Sequence, residues 1–132
     1  KGGSAPIMDV IGYGEQIVSK GLNMLSGPGN DLVSATAMTA AGAHLILFST
    51  GRGTPFSAPA PTLKISTNTP LAEKKGGWID FNTGVIADGE KTIDEAAKDL
   101  LDLVIRVAGG EQTKAEKHGF REISIFKDGV VL

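Results

Sequence analysis

The segment with the clearest chemical character covers residues 45–55, where an apolar run ends in small polar residues around one arginine. The polar residues that follow the apolar run are Thr50, Gly51, Arg52, Gly53 and Thr54. Ligands of open α/β sheets bind just beyond the carboxyl ends of the strands, and glycine lets the backbone approach a ligand closely. The guanidinium of Arg52 can grip a carboxylate or phosphate through two parallel hydrogen bonds. The pattern therefore predicts a binding site for a small anionic molecule.

Two more loops follow predicted strands and carry short polar side chains. We predict that their substrate-binding residues are Gly29, Asn30 and Asp31 in the first loop, and Ser66, Thr67 and Asn68 in the second. Each of these loops precedes a predicted helix, whose free N–H groups favour anions. If the strands are parallel, the three loops meet at one edge of the sheet. The alternative is that each loop is only a tight turn or helix cap, and that Arg52 forms an ordinary surface ion pair.

Lys64 is the candidate catalytic residue, because it alternates with Leu63 and Ile65 on a strand that should be central. A buried lysine is costly unless it has a partner or a chemical role, and it can serve as a base or an anion ligand. The alternative is that its stem reaches solvent at the sheet edge. Asp80 and Asn82 could contact substrate hydroxyls or a metal, and they could equally cap the turn that follows.

The composition narrows the classes of partner. The chain has 132 residues, a net charge of −2 and no cysteine, which predicts a single domain without disulfides or thiolate sites. We expect no nucleic-acid or membrane partner, since nothing in the overall charge attracts either and no basic aromatic stripe is present. We also expect a cytoplasmic location. The sequence contains no cluster with metal-ligand spacing and no nucleotide fingerprint.

The apolar periodicity predicts an α/β fold: a Rossmann-like, mostly parallel sheet of about four strands with flanking helices and a small C-terminal hairpin. Predicted helices cover residues 7–18, 32–42 and 93–108, with a short helix opening at Thr69-Pro70; predicted strands cover residues 22–25, 44–49, 62–66 and 78–81. We expect Ser4 to cap the first helix and Gly21 to end it. Residues 111–118 are predicted to form an exposed connection, and residues 122–126 and 130–132 the hairpin.

Five tracts, in this order, resemble the altronate and galactarate dehydratase family. They are Lys1-Gly-Gly-Ser-Ala-Pro6, Asp9-Val-Ile-Gly-Tyr-Gly-Glu15, Gly27-Pro-Gly-Asn-Asp-Leu-Val-Ser-Ala-Thr36, Phe48-Ser-Thr-Gly-Arg-Gly-Thr-Pro55 and Lys64-Ile-Ser-Thr-Asn-Thr69. The resemblance is to the carboxyl-terminal part of the family and covers nearly the whole chain. The ending from Gly119 to Gly129 looks closer to the altronate branch than to the galactarate branch.

The resemblance implies a hydro-lyase that removes water from a sugar acid to give a 2-keto-3-deoxy acid, assisted by a divalent metal, usually iron. It implies that residues 1–132 are one domain, the carboxyl-terminal fragment of a larger dehydratase. The family's upstream Cys-Gly-Gly-Ser-Asp tract, and metal ligands with it, would lie outside this chain. The implied partners are the sugar acid, the remaining domains and a second copy in a homodimer. Two alternatives stand: a domain of a sulfolactate sulfo-lyase large subunit, and a non-catalytic anion-binding or assembly module.

Overall fold

The computed structural model describes residues 2–125. Its strands are β1 (Ile7–Ile11), β2 (Leu22–Leu25), β3 (Ile46–Thr50), β4 (Thr62–Ser66) and β5 (Phe81–Asn82). Its helices are α1 (Asp31–Ala40), α2 (Thr69–Lys74), α3 (Gly84–Ala87), α4 (Ile93–Ala108) and α5 (Lys114–Lys117). Strands and helices mix along the chain, so the predicted α/β class is confirmed.

The strands form two separate parallel sheets. One pairs β1 with β2, and the other has the order β3-β4-β5. The parallel arrangement is confirmed, but the predicted sheet of about four strands is divided in two. In the three-stranded sheet, Thr50 lies beside Ser66, and Ser66 lies beside Asn82. The carboxyl ends of β3, β4 and β5 therefore meet at one edge, which we call the rim.

Strand β4 is the centre of the core, because all five of its residues are buried. On one face of the sheet, Ile46 of β3 packs with Ala35 of α1 and with Phe56 of the loop between β3 and β4. On the other face, Leu63 of β4 packs with Leu103 and Val107 of α4. Since side chains alternate along a strand, Lys64 and Ser66 lie on the opposite face from Leu63, toward α1 and the loop that contains Phe56.

The prediction of a first helix over residues 7–18 is wrong. Residues 7–11 form β1, so Ser4 caps no helix there and Gly21 ends none. Two physical features favour the strand over the helix. Ile7, Val10 and Ile11 are β-branched and suit extended backbone, and a helix would have to run through Gly12 and Gly14, each of which costs about 1 kcal/mol in a helix interior.

Two helices match the prediction closely because their caps can be read from the sequence. Asn30 caps α1 by accepting a hydrogen bond from the N–H of Val33 at 3.2 Å. Helix α4 begins with a capping box, in which Thr92 and Glu95 each satisfy the other's backbone N–H. Among the helices of residues 2–125, none has the length and apolar character needed to cross a membrane. The cytoplasmic location stays a prediction.

Several smaller predictions fail. The fourth predicted strand begins at Phe81, not at Trp78, because the N–H of Trp78 closes a turn on the carbonyl of Lys75 at 2.8 Å. The expected exposed connection at residues 111–118 contains α5, where Thr113 is buried and forms a second capping box. Helix α3 was not predicted. Residues 122–125 are not in a strand, and the rest of the predicted hairpin lies outside the described residues.

Candidate functional site

The rim brings together two of the three predicted loops. The N–H of Thr67 donates to the carbonyl of Thr50 at 3.0 Å, and the side-chain amide of Asn68 donates to the carbonyl of Gly51 at 3.1 Å. The loop after β4 is thereby tied to the loop after β3, as expected for neighbouring parallel strands. Geometry alone assigns neither loop a ligand.

The loop after β3 is a braced turn, which we call the arginine turn and define as residues 50–54. The hydroxyl of Thr50 accepts hydrogen bonds from the N–H groups of Gly53 at 2.9 Å and of Arg52 at 3.4 Å. Gly53 has a φ of 80°, a left-handed conformation that glycine adopts without steric cost. A Cβ at Gly53 would also lie 3.1 Å from both Leu71 and Lys75. The turn is therefore fixed by its own hydrogen bonds and by close packing.

Arg52 is exposed at the tip of this turn. The two ion pairs within residues 2–125 are Lys91 with Asp99 and Arg106 with Glu111. Arg52 thus has no acidic partner within that part of the chain, which argues against the alternative of an ordinary surface ion pair. Toward residues 2–125, the guanidinium therefore keeps its donors available to an anion.

Lys64 lies beneath the arginine turn, not at the sheet edge. Its side chain is fully buried, and its Nζ donates to the carbonyl of Thr54 at 2.5 Å. The same Nζ lies 5.1 Å from the centre of the Phe56 ring, within reach of a cation–π contact. Burial lowers the pKa of Lys64, while the nearby carboxylates of Asp80 and Glu122 oppose that shift. Lys64 therefore braces the end of the turn from inside the protein.

Asp80 and Asn82 serve the backbone. Asp80 accepts the N–H of Lys64 and the N–H of Lys114, one on each oxygen and both at 2.8 Å. Asn82 accepts the N–H of Gly84 at 2.8 Å through its side-chain oxygen. Both carboxylate oxygens of Asp80 thus accept backbone N–H groups outside the turn that follows it, so the capping alternative raised by the sequence describes Asn82 and not Asp80.

The loop after β4 also uses most of its polar groups internally. Ser66 is fully buried, and its hydroxyl donates to the carbonyl of Asn68 and accepts the N–H of Asn68 at 3.2 Å. The side-chain oxygen of Asn68 caps α2 by accepting the N–H of Leu71 at 2.9 Å. Thr67 is exposed. Ser66 and Asn68 therefore shape the rim, and Thr67 is the member of this loop that faces solvent.

The third predicted loop belongs to the other sheet. Gly29 and Asp31 are exposed, and Asn30 is engaged as the cap of α1. Within residues 2–125, no hydrogen bond joins these residues to the arginine turn or to the loop after β4. Their role in binding substrate stays a prediction.

Lys75 is a residue at this site that the sequence reasoning missed. Its Nζ donates to the carbonyl of Arg52 at 3.2 Å and lies 4.7 Å from the centre of the Trp78 ring. Lys75 follows the last residue of α2, so no motif in the sequence connects it with residues 50–54. The one available signal was a lysine just past the end of a helix that starts at the rim.

The fold and the rim define an α/β protein that carries an exposed arginine on a braced turn at the carboxyl edge of a parallel sheet. Residues 1–131 match the family described as D-galactarate/altronate dehydratase, C-terminal. The chain belongs to this family, which confirms the resemblance seen in its five tracts.

Three relatives carry related names. The chain is 48% identical to the altronate dehydratase of Escherichia coli (strain K12) and 46% identical to that of Bacillus subtilis (strain 168), in both cases over all 132 residues. It is 34% identical to the galactarate dehydratase (L-threo-forming) of Escherichia coli (strain K12) over 99% of its length. The match covers 26%, 27% and 26% of these relatives, respectively, so the chain spans about a quarter of their length.

Proposed function

We propose that this chain is the carboxylate-binding domain of a sugar-acid dehydratase, and that Arg52 grips the carboxylate of the substrate. The observation that carries the proposal is the arginine turn itself. It presents an exposed guanidinium between two glycines, and no ion pair within residues 2–125 neutralises it. The names of the relatives supply the substrate class, since they are altronate and galactarate dehydratases.

The proposed reaction takes a proton from the carbon beside the carboxylate and a hydroxide from the next carbon, which together leave as water. The electron pair of the broken C–H bond forms the new double bond, and the resulting enol rearranges to a 2-keto-3-deoxy acid. While the proton is leaving, negative charge builds up on the carboxylate oxygens. A fixed cation stabilises that charge because it is already aimed at it before the reaction starts. The hydrogen bonds of the arginine turn fix the backbone that carries Arg52, and in this proposal its guanidinium supplies that cation.

The other predicted site residues support the turn in this proposal. Thr50 closes it, Gly51 and Gly53 allow close approach of a ligand, and Lys64 holds the carbonyl of Thr54. We therefore propose Lys64 as a positioning residue. Proton exchange by Lys64 stays a prediction. Its ammonium is buried and already donates to the carbonyl of Thr54.

The implied divalent metal does not fit the residues described. Within residues 2–125, no group of three or more His, Asp or Glu side chains could hold a metal ion. The divalent metal therefore stays a prediction, with its ligands expected outside this chain, and the steps described above name only what this chain's own residues do. We also propose that the two sheets belong to a Rossmann-like layer of the complete enzyme, which a crystal structure of that enzyme tests. We propose further that the enzyme is a homodimer, which light scattering tests.

The test is the substitution Arg52→Met in the complete enzyme, assayed on altronate, galactarate and sulfolactate. Losing a hydrogen bond between charged groups costs about 1.5–3 kcal/mol, so we expect KM to rise about 10- to 100-fold, with Arg52→Lys recovering part of the loss. Arg106→Met is the matched control, since Arg106 pairs with Glu111 on the surface. Near wild-type kinetics for Arg52→Met would remove Arg52 from the site.

The same assay separates the alternatives. Turnover of sulfolactate in place of the sugar acids would identify a sulfo-lyase. The non-catalytic binding module would be identified by two results together. The complete enzyme with Arg52→Met would turn over normally, and the 132-residue chain would bind sugar acid weakly. We expect the 132-residue chain alone to be inactive, and turnover by it would show that the essential groups lie within this domain.

A further inference from the structure

We infer that Lys75 is the second cation of the anion site and binds the same substrate carboxylate as Arg52. The inference rests on the proposed function of Arg52. Lys75 and Arg52 are 23 positions apart in sequence, but the ammonium of Lys75 donates to the backbone carbonyl of Arg52 at 3.2 Å. The ammonium of Lys75 is therefore anchored on the turn that carries Arg52.

The ammonium of Lys75 is held in place, unlike that of a freely solvated surface lysine. Besides the carbonyl of Arg52, it contacts the Trp78 ring, with 4.7 Å from Nζ to the ring centre. Its stem packs on Gly53, where an added Cβ would lie 3.1 Å from Cδ and 3.7 Å from Nζ. Half-buried packing of this kind orders a long side chain that ordinarily keeps its rotamer freedom. The ammonium is thus ordered before any ligand arrives.

The charge held there has no counterion within residues 2–125, since the two ion pairs of that range lie elsewhere. An ammonium has three N–H donors, and one of them goes to Arg52. The ammonium therefore keeps donor capacity beside the turn whose exposed side chain is Arg52. In this inference, one anion at the turn pairs with both cations.

The two cations complement each other chemically. A carboxylate has about four acceptor positions on its two oxygens, so a guanidinium fork can take two and leave the others free. An ammonium is a compact point charge that pairs with an oxygen from several directions. The inference is therefore that Arg52 and Lys75 together hold one carboxylate group, which both altronate and galactarate offer.

The experiment compares Lys75→Gln, Lys75→Arg and Lys74→Gln in the complete enzyme, with altronate and galactarate as probes. Glutamine keeps a donor for the Arg52 carbonyl and removes the charge, whereas arginine keeps the charge. Lys74 is an exposed neighbour on α2 and serves as the control for charge. We expect about a tenfold rise in KM and in the dissociation constant for Lys75→Gln. Lys75→Arg should recover most of this loss, and Lys74→Gln should change neither constant.

A dependence on salt separates charge from structure. If Lys75 pairs with the carboxylate, affinity in Lys75→Gln falls less steeply with ionic strength than in the wild type, because one screened interaction is gone. If Lys75 only supports the turn, the salt dependence of the dissociation constant in Lys75→Gln stays that of the wild type, even where the constant itself rises, and this result overturns the inference. If Arg52→Met leaves KM and the dissociation constant unchanged, the proposed function itself is overturned. If Arg52→Met raises them and Lys75→Gln does not, only the role of Lys75 is overturned.

Discussion

The substitution Lys64→Met separates stability from function more sharply than any other in this chain. Methionine has nearly the length of lysine and fills the same space, but it carries neither the charge nor the donor. In the wild type, the ammonium of Lys64 is fully buried, donates to the carbonyl of Thr54 and faces the ring of Phe56. Removing it unties the arginine turn from the core.

The magnitude follows from opposing contributions. Losing a hydrogen bond from a charged donor costs about 1.5–3 kcal/mol, and losing a desolvated cation–π contact costs about 2 kcal/mol. Against this, the variant no longer has to desolvate an ammonium, a penalty of several kcal/mol in proteins. We therefore expect the free energy of unfolding of Lys64→Met to stay within about 2 kcal/mol of the wild type, whereas Lys64→Ala leaves a cavity and loses about 2–5 kcal/mol.

Denaturant unfolding and steady-state kinetics of the complete enzyme measure the two effects. We expect Lys64→Met to fold but to bind sugar acid poorly, because Thr54 and its neighbours lose their brace. Two results would refute this reasoning. Wild-type kinetics would show that the brace is dispensable, and a loss of stability above about 3 kcal/mol would show that Lys64 contributes chiefly to folding.

The pH dependence of stability gives a second measurement on the same variant. Burial lowers the pKa of Lys64 from its ordinary value of 10.5, so between the folded and unfolded pKa values the unfolded chain binds more protons. The free energy of unfolding contributed by this group then rises with pH across that window. The difference between wild type and Lys64→Met should therefore shift in favour of the wild type as the pH approaches 10.5. A difference that stays constant with pH would contradict the burial of the charge.

Two further predictions concern the frame around the rim. A Cβ at Gly84 would lie 2.2 Å from the backbone nitrogen of Thr69 and 2.5 Å from the carbonyl carbon of Asn68, so Gly84→Ala should lower the free energy of unfolding in urea by about 1–3 kcal/mol. Gly77→Ala is the control, because a Cβ there has open space. Equal stabilities of the two variants would contradict the close approach. Thr92→Ala should cost about 1 kcal/mol of stability by removing the cap of α4, which is measured as a lower melting temperature with unchanged kinetics. Thr92→Ser keeps the capping hydroxyl and should restore the melting temperature. An unchanged melting temperature in Thr92→Ala would show that the cap is unimportant.

The elements with local signals were predictable. Helix α4 has both a capping box and a clear apolar stripe, and β4 alternates the apolar Leu63 and Ile65 with polar residues. Strand β1 was missed because Ile7, Val10 and Ile11 also fit helical spacing, although their β-branching and the glycines at 12 and 14 already favoured a strand. Its partner, β2, could not be read from that local pattern. Helix α5 could have been found, since Thr113 and Glu116 form the same capping pattern as Thr92 and Glu95.

The candidate site divides in the same way. Arg52 and its two flanking glycines can be identified from the sequence, because their residue types are unusual at the end of a strand. Lys64 was identified by its place in an apolar strand, but whether it was buried depended on tertiary packing against Phe56. Lys75 gave no usable signal, because its contact with Arg52 depends on how α2 packs beside the turn. Contacts between residues far apart in sequence are what local patterns leave open.

The unequal burial of the two sheets has a consequence for motion in this domain. Every residue of β4 is buried, whereas Ile7 and Val10 of β1 are 58% and 73% exposed. Segments with few buried contacts open locally at a small fraction of the global unfolding free energy. Amide protons of β1 should therefore exchange with solvent far sooner than those of β4. The amino-terminal pair of strands can open or re-pair while the arginine turn keeps its shape.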